Sequence, residues 1–78
     1  MAAPSKEEFI ARFVEMLETD RKDITLETDL SDIEEWDSVS GVNFIGVADT
    51  EYGMELNPMD VRMALSVQDL YDLIVGED

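Results

Sequence analysis

Four segments of this chain each begin at a residue type that caps helices, and the three longer ones place apolar residues at helical spacing. In the first segment, Ser5 precedes Glu8 by three positions, which is the spacing of a capping box. The apolar residues that follow are Phe9, Ile10, Phe13, Val14 and Leu17. Because this period is typical of a helix with one buried face, the sequence predicts a first helix over residues 6–19.

A second amphipathic segment begins at Asp37 and Ser38, residue types that accept hydrogen bonds from the free N–H groups at a helix N-terminus. The predicted helix covers residues 38–52 and ends before a glycine, which adopts positive φ easily. The arc that we expect to face the core carries Gly41, Phe44, Ile45, Ala48 and Tyr52. The opposite arc carries Val39, Val42, Gly46, Asp49 and Thr50. Exposed valines beside an acidic residue indicate a docking surface, with an ordinary solvated helix face as the alternative.

Of the two remaining helical segments, the first is short and the second is longer. An asparagine followed by proline, a cap and a favoured first helical residue, predicts a helix over residues 58–63. Met59, Val61, Met63, Ala64 and Leu65 are the apolar residues that could line a cavity here. Ser66, with Asp69 three positions later, predicts a last helix over residues 67–75.

Between the first two helices, residues 20–37 form a predicted loop that is long for so small a domain. Its acidic residues alternate with apolar ones that we expect to fix the loop to the core, namely Ile24, Leu26, Leu30 and Ile33. The acidic spacing lacks the calcium-loop pattern, so it predicts no specific metal site. Since no segment alternates long enough for a strand, the predicted fold class is all-α. We expect residues 1–78 to form one small four-helix bundle of three longer helices and one short helix.

The charge balance limits the possible partners. Twenty acidic and five basic residues give a formal net charge of −15. This field repels nucleic acid and anionic membranes and attracts basic protein surfaces. No segment has the length and character of a membrane span or a secretory signal. We therefore expect a cytoplasmic monomer that binds basic proteins, binds no nucleic acid and does not insert into membranes.

The chain contains neither cysteine nor histidine, which removes thiolate metal sites, a cysteine nucleophile and the usual general base. A hydrolase that used Ser38 would have no evident base to activate it. We therefore expect a protein without catalytic residues of its own. Any thiol chemistry would need a sulfur supplied by a prosthetic group.

The sequence LSDIEEWDSV at residues 30–39 resembles the attachment motif of acyl carrier proteins. Residues 66–69 are similar to the start of that family's last helix, and the resemblance covers residues 9–74. It implies an acyl-carrier-protein-like bundle with 4'-phosphopantetheine attached covalently to Ser38. It also implies that Asp37 is part of the surface that a phosphopantetheinyl transferase recognises.

In the family that the chain resembles, the helix after the serine docks partner enzymes through acidic and apolar side chains. The corresponding positions here are Val39, Val42, Gly46 and Asp49. Val39 replaces the usual leucine or methionine, Gly46 replaces a larger apolar residue, and two positions that are acidic in fatty-acid carriers are uncharged here. These departures favour a specialised pathway, although fatty-acid, polyketide, D-alanyl and other aminoacyl carriers share the same outline.

The leading hypothesis is a stand-alone acyl carrier protein that holds acyl or aminoacyl groups as thioesters on an arm at Ser38. A loading ligase would supply the cargo, and transfer enzymes with basic docking surfaces would receive it. The alternative hypothesis is an unmodified acidic helical adaptor that binds a basic protein. The adaptor explains the composition equally well but gives no reason for a serine at position 38.

Overall fold

Four α-helices make up most of residues 4–76, which are the residues that the computed structural model describes. In chain order they are α1 (Lys6–Leu17), α2 (Ser38–Tyr52), α3 (Pro58–Met63) and α4 (Val67–Val75). A 3-10 turn at Leu30–Asp32 interrupts the long connection between α1 and α2. The predicted all-α bundle of three longer helices and one short helix is confirmed, and within the described range no strand forms.

Helix α1 ends two residues earlier than predicted. Glu18 adopts the left-handed conformation, with φ of 56°, and its N–H bonds to the carbonyl of Glu15. A left-handed glutamate is unusual because its Cβ crowds the neighbouring backbone. No glycine or asparagine marks this end, and the predicted range of 6–19 is therefore too long.

Side-chain caps fix the starts of the helices. At α1, the Glu8 N–H donates to Ser5 Oγ at 3.1 Å, and the Ser5 N–H donates to Glu8 Oε1 at 3.0 Å. Ser66 and Asp69 form the same reciprocal capping box at α4. Each box satisfies two N–H groups that a helix N-terminus leaves without partners.

Aromatic rings form the centre of the core, where α1, α2 and the end of the loop meet. The ring of Phe44 packs edge-on against Phe9 at 6.0 Å and against Phe13 at 6.3 Å between centroids. Trp36 lies 5.6 Å from Phe13 and 6.2 Å from Phe44. The loop residue next to α2 is thereby held by the same rings that join α2 to α1.

The long connection is fixed to the bundle by both side chains and backbone. Ile24, Leu30 and Ile33 are buried as predicted, and Leu26 is half-buried. Three backbone hydrogen bonds then join the loop to the junction of α3 and α4. They are Leu30 N–H to Leu65 O at 3.0 Å, Val67 N–H to Thr28 O at 3.1 Å, and Gln68 N–H to Leu26 O at 2.8 Å.

Candidate functional site

The N-terminus of α2 is capped by Asp37. Its Oδ1 accepts a hydrogen bond from the Ser40 N–H at 2.9 Å, and its carbonyl accepts one from the Gly41 N–H at 3.0 Å. The hydrogen bond from the Ser40 backbone N–H lowers the pKa of the Asp37 carboxyl. Asp37 therefore performs the capping role, and Ser38 is the first helical residue.

The hydroxyl of Ser38 is unbonded within the described chain, unlike those of Ser40 and Ser66. The Ser38 side chain is exposed and makes no hydrogen bond with any residue that the structure describes. The Ser40 hydroxyl instead donates to the carbonyl of Glu35 at 2.6 Å, and Ser66 Oγ accepts the Asp69 N–H at 3.3 Å. Ser31 is exposed on the 3-10 turn. The Ser38 residue is thus exposed, and its hydroxyl is free of hydrogen bonds within the described chain.

A cleft of about 420 Å³ lies between α2 and α3 and opens beside Ser38. This volume is within the range of small-molecule pockets, about 300–1,000 Å³. Most of the lining is apolar, with polar groups confined to the end near Ser38 and to α3. The lining residues are Trp36, Asp37, Ser38, Gly41, Val42, Ile45, Pro58, Val61 and Arg62.

Of the five apolar residues that could line a cavity near α3, one lines this cleft and four do not. Val61 is buried and lines the cleft, whereas Met59, Met63 and Leu65 are exposed and lie outside it. Helix α3 has only six residues, so it turns a single narrow face toward α2. The fifth candidate, Ala64, is half-buried and packs against the core instead.

The predicted docking positions divide into two groups along α2. Val39 and Val42 are 66% and 68% exposed at the Ser38 end, and Val42 also lines the cleft. Gly46 and Asp49 are exposed two turns and more farther along the helix, away from the cleft. The structure therefore places Asp37 and Val42 at the same cleft as Ser38, whereas Gly46 and Asp49 lie apart from it.

Arg62 is a site residue that the sequence analysis did not identify. It projects from α3 and lines the same cleft as Ser38, although the two residues are 24 positions apart in the chain. No sequence pattern relates position 62 to position 38, because only the packing of α3 against α2 brings them to one cleft. The mixed charge of the cleft could therefore not be predicted.

Two further features of the described residues concern metals and membranes. No group of three or more carboxylates within residues 4–76 is arranged to hold a metal ion. None of the helices in the same range combines the length and the apolar character that crossing a bilayer requires.

Comparison with known families gives a match over most of the chain. A family model described as "Phosphopantetheine attachment site" matches residues 7–74, which is most of the chain. The matched range contains all four helices except the first residue of α1 and the last residue of α4. Comparison with the curated proteins and with the solved structures found no match.

Proposed function

Since the chain belongs to the family defined by a phosphopantetheine attachment site, we propose that Ser38 is the serine that receives the prosthetic group. Domains of this family bind 4'-phosphopantetheine covalently on a serine. Four serines lie within the matched residues, at positions 31, 38, 40 and 66. The observation that carries the proposal is that, among these four, Ser38 alone combines an exposed hydroxyl, no hydrogen bond within the described chain, and a position beside the cleft.

The position of Ser38 also suits the charge of the group. The phosphodiester that links the arm to serine is an anion, and the N-terminus of a helix carries partial positive charge. Ser38 is the first residue of the 15-residue helix α2. Asp37 satisfies the Ser40 N–H, so the modified side chain would not have to serve as the cap as well.

When bound, the arm supplies the thiol that the chain itself lacks, and this thiol can hold an acyl or aminoacyl group as a thioester. Domains of this family are carriers rather than catalysts. In the proposed function the chain contributes the attachment point, a cleft with apolar walls and a recognition surface. Catalysis of loading and transfer belongs to the partner enzymes.

The partners follow from the charge and from the exposed side of α2. A net charge of −15 guides proteins with basic surfaces toward this one. Val39 and Val42 are apolar and exposed beside Ser38, and Gly46 and Asp49 continue the same side of the helix. We infer that phosphopantetheinyl transferases and acyl- or aminoacyl-handling enzymes dock on this side.

Modification can be tested by intact mass after co-expression with a broad-range phosphopantetheinyl transferase. The wild-type chain should gain the mass of one phosphopantetheine group, and Ser38→Ala should gain none. Ser40→Ala is the matched control, because it removes a hydroxyl from the same helix turn and should still be modified. A wild-type chain that gains no mass contradicts the proposal, as does a Ser38→Ala variant that is still modified.

The same variants distinguish the carrier from the acidic adaptor. An adaptor would bind its basic partner equally well with serine or alanine at position 38, and it would need no cofactor. For a carrier, the transfer of cargo to a partner enzyme should depend entirely on Ser38. Partner binding that is identical in unmodified, modified and Ser38→Ala protein would favour the adaptor.

Docking can be tested with two lysine variants that change the net charge equally. Val42→Lys places a positive charge on the proposed docking side, whereas Ala11→Lys places it on an exposed position of α1. Loss of one buried valine contact corresponds to roughly a tenfold effect, so kcat/KM for modification should fall about tenfold with Val42→Lys. Ala11→Lys should have little effect, and equal effects of the two variants would contradict a docking role for Val42.

A further inference from the structure

Among the described residues, Arg62 is the only basic residue that lines the cleft beside Ser38. The same lining carries Ser38, the proposed attachment point, and the carboxylate of Asp37 next to it. The other walls of the cleft are formed largely by apolar side chains, including those of Val42, Ile45 and Val61. A flexible chain with one charged end and a less polar remainder fits this distribution.

The other basic residues either have partners or lie elsewhere. Arg12 lies 3.1 Å from Glu15 Oε1 and 3.8 Å from Glu51 Oε1. Arg21 forms a two-pronged ion pair with Asp23, with both N–O distances at 3.1 Å. Arg62 has no carboxylate within ion-pair distance in the part of the chain that the structure describes. Its charge is thus available in a protein whose acidic residues outnumber its basic ones by four to one.

A phosphodiester on Ser38 would have acidic neighbours. Asp37 precedes it directly, and Glu34 is exposed in the connecting loop. Glu35 Oε1 lies 3.7 Å from the guanidinium of Arg21, which Glu35 shares with the closer Asp23. Nearby carboxylates repel a phosphodiester, so a cation close to Ser38 would stabilise the attached group.

We propose that the guanidinium of Arg62 pairs with the phosphodiester on Ser38 and so holds the prosthetic arm against the α2–α3 cleft. The inference rests on attachment at Ser38. Arginine suits this role because its planar fork presents two parallel N–H donors to two phosphate oxygens. With its phosphate held in this way, the arm lies along the apolar walls of the cleft instead of extending into solvent.

The test uses the full chain loaded with unacylated 4'-phosphopantetheine, with loading verified by intact mass. Three proteins are compared with wild type: Arg62→Gln, Arg62→Lys and the control Lys22→Gln. Arg62→Gln and Lys22→Gln each remove one positive charge, but Lys22 does not line the cleft. Circular dichroism of each unmodified variant verifies that it folds.

Two signals report on the arm directly. The ³¹P resonance of the phosphodiester responds to a paired cation, and the fluorescence of Trp36 responds to occupancy of the cleft that it lines. Trp36 is the only tryptophan, so its emission is unambiguous. Loading should change the Trp36 emission of wild type, and most of this change should be lost in Arg62→Gln. The ³¹P resonance should shift in Arg62→Gln, remain in place in Lys22→Gln and be partly restored in Arg62→Lys.

Added sodium chloride gives an independent measurement, because the Debye length falls to about 3 Å at 1 M salt. As salt screens the pair of Arg62 and the phosphodiester, wild type and Arg62→Gln should become more alike in Trp36 emission and in ³¹P resonance. If the protein is loaded but Arg62→Gln behaves like Lys22→Gln in both signals, the pairing is overturned and attachment at Ser38 stands. If wild type cannot be loaded, the attachment at Ser38 and the pairing are both overturned.

Discussion

Ser38 and Ser40 differ only in position, and their hydroxyls have opposite surroundings. Ser40 Oγ lies 2.6 Å from the Glu35 carbonyl and 3.1 Å from Asp37 Oδ1. A hydroxyl has one proton to donate, so the shorter distance identifies the Glu35 carbonyl as its acceptor. Ser40 therefore joins the end of the loop to α2, whereas the Ser38 hydroxyl is left for chemistry.

The two serines should separate in stability measurements. Ser40→Ala removes a partly buried hydrogen bond and should lower the free energy of unfolding by about 1 kcal/mol. Ser38→Ala should change it by less than about 0.5 kcal/mol, as exposed substitutions usually do. Urea unfolding of the unmodified proteins measures both values. A larger loss for Ser38→Ala than for Ser40→Ala would mean that Ser38 has a structural role.

The Asp37 cap makes stability depend on pH in a defined direction. The pKa of Asp37 is lowered in the folded protein relative to its unfolded value of about 3.9. The contribution of its charge is therefore fully present above about pH 4 and is lost as the pH falls through the folded-state pKa. Asp37→Asn keeps a capping oxygen but does not titrate.

Urea unfolding of wild type and Asp37→Asn between pH 7 and pH 2 measures this contribution, since the other carboxylates are common to both proteins. Wild type should be the more stable at pH 7, and its advantage should narrow below about pH 4. Asp37→Ala should be less stable than Asp37→Asn throughout, because alanine has no capping oxygen. If the difference in free energy of unfolding between wild type and Asp37→Asn did not change with pH, the charge of Asp37 would not contribute to the cap as described.

At the scale of the helices, one glycine lies inside α2 and another forms its C-terminal cap, and their backbone conformations differ. Gly46 lies inside the helix without positive φ, and beyond the adjacent residues and the helix's own backbone no atom would come within 4 Å of a Cβ there. Gly53 ends the helix with φ of 67°. Glycine inside a helix costs about 0.5–1 kcal/mol relative to alanine, whereas a left-handed residue with a Cβ costs about 1–2 kcal/mol.

These two positions give opposite predictions for the same substitution. Gly46→Ala should raise the free energy of unfolding by about 0.5–1 kcal/mol, and Gly53→Ala should lower it by about 1 kcal/mol. Thermal and urea unfolding measure both. If Gly46→Ala were destabilising, position 46 would have to make a close contact in the folded protein that the structure does not contain.

Sequence patterns predicted the starts of the helices better than the features that depend on packing. Capping boxes and a proline at the first helical position are local signals, and Ser5, Ser66 and Pro58 all lie where these signals predict. The end of α1 has no such signal, since Glu18 ends the helix without a glycine. The 3-10 turn and the backbone bonds at Leu65 depend on tertiary contacts that periodicity does not describe.

In the candidate site, too, the residues marked by local signals were predicted, and the residue that depends on helix packing was not. The local motif points to Ser38 and Asp37, and helical projection predicts correctly that Val39 and Val42 are exposed. Arg62 could not be found, because its place beside Ser38 results from the packing of two helices. The roles of these residues in attachment and docking remain predictions for the experiments described above.

At the scale of the whole molecule, the net charge of −15 opposes the compact state. Salt screens such repulsion, so the melting temperature at pH 7 should rise with sodium chloride, and with magnesium chloride at lower concentrations. Scanning calorimetry measures this, with the same titration near pH 4 as the control. There the protein is close to its isoelectric point of about 4.1, and the salt effect should be small. Equal melting temperatures at all salt concentrations at pH 7 would contradict the argument.

The backbone hydrogen bonds from residues 26–30 to the α3–α4 junction fix the C-terminal end of α3 more firmly than its N-terminal end. Its C-terminal end is fastened through the carbonyl of Leu65 and the N–H groups of Val67 and Gln68. At the other end, residues 55–57 donate no backbone hydrogen bond within the described chain. If the chain carries a bulky cargo on Ser38, we expect the N-terminal end of α3 to move outward more readily than its anchored end. Amide exchange should accordingly be slow at residues 67 and 68 and fast at residues 55–57.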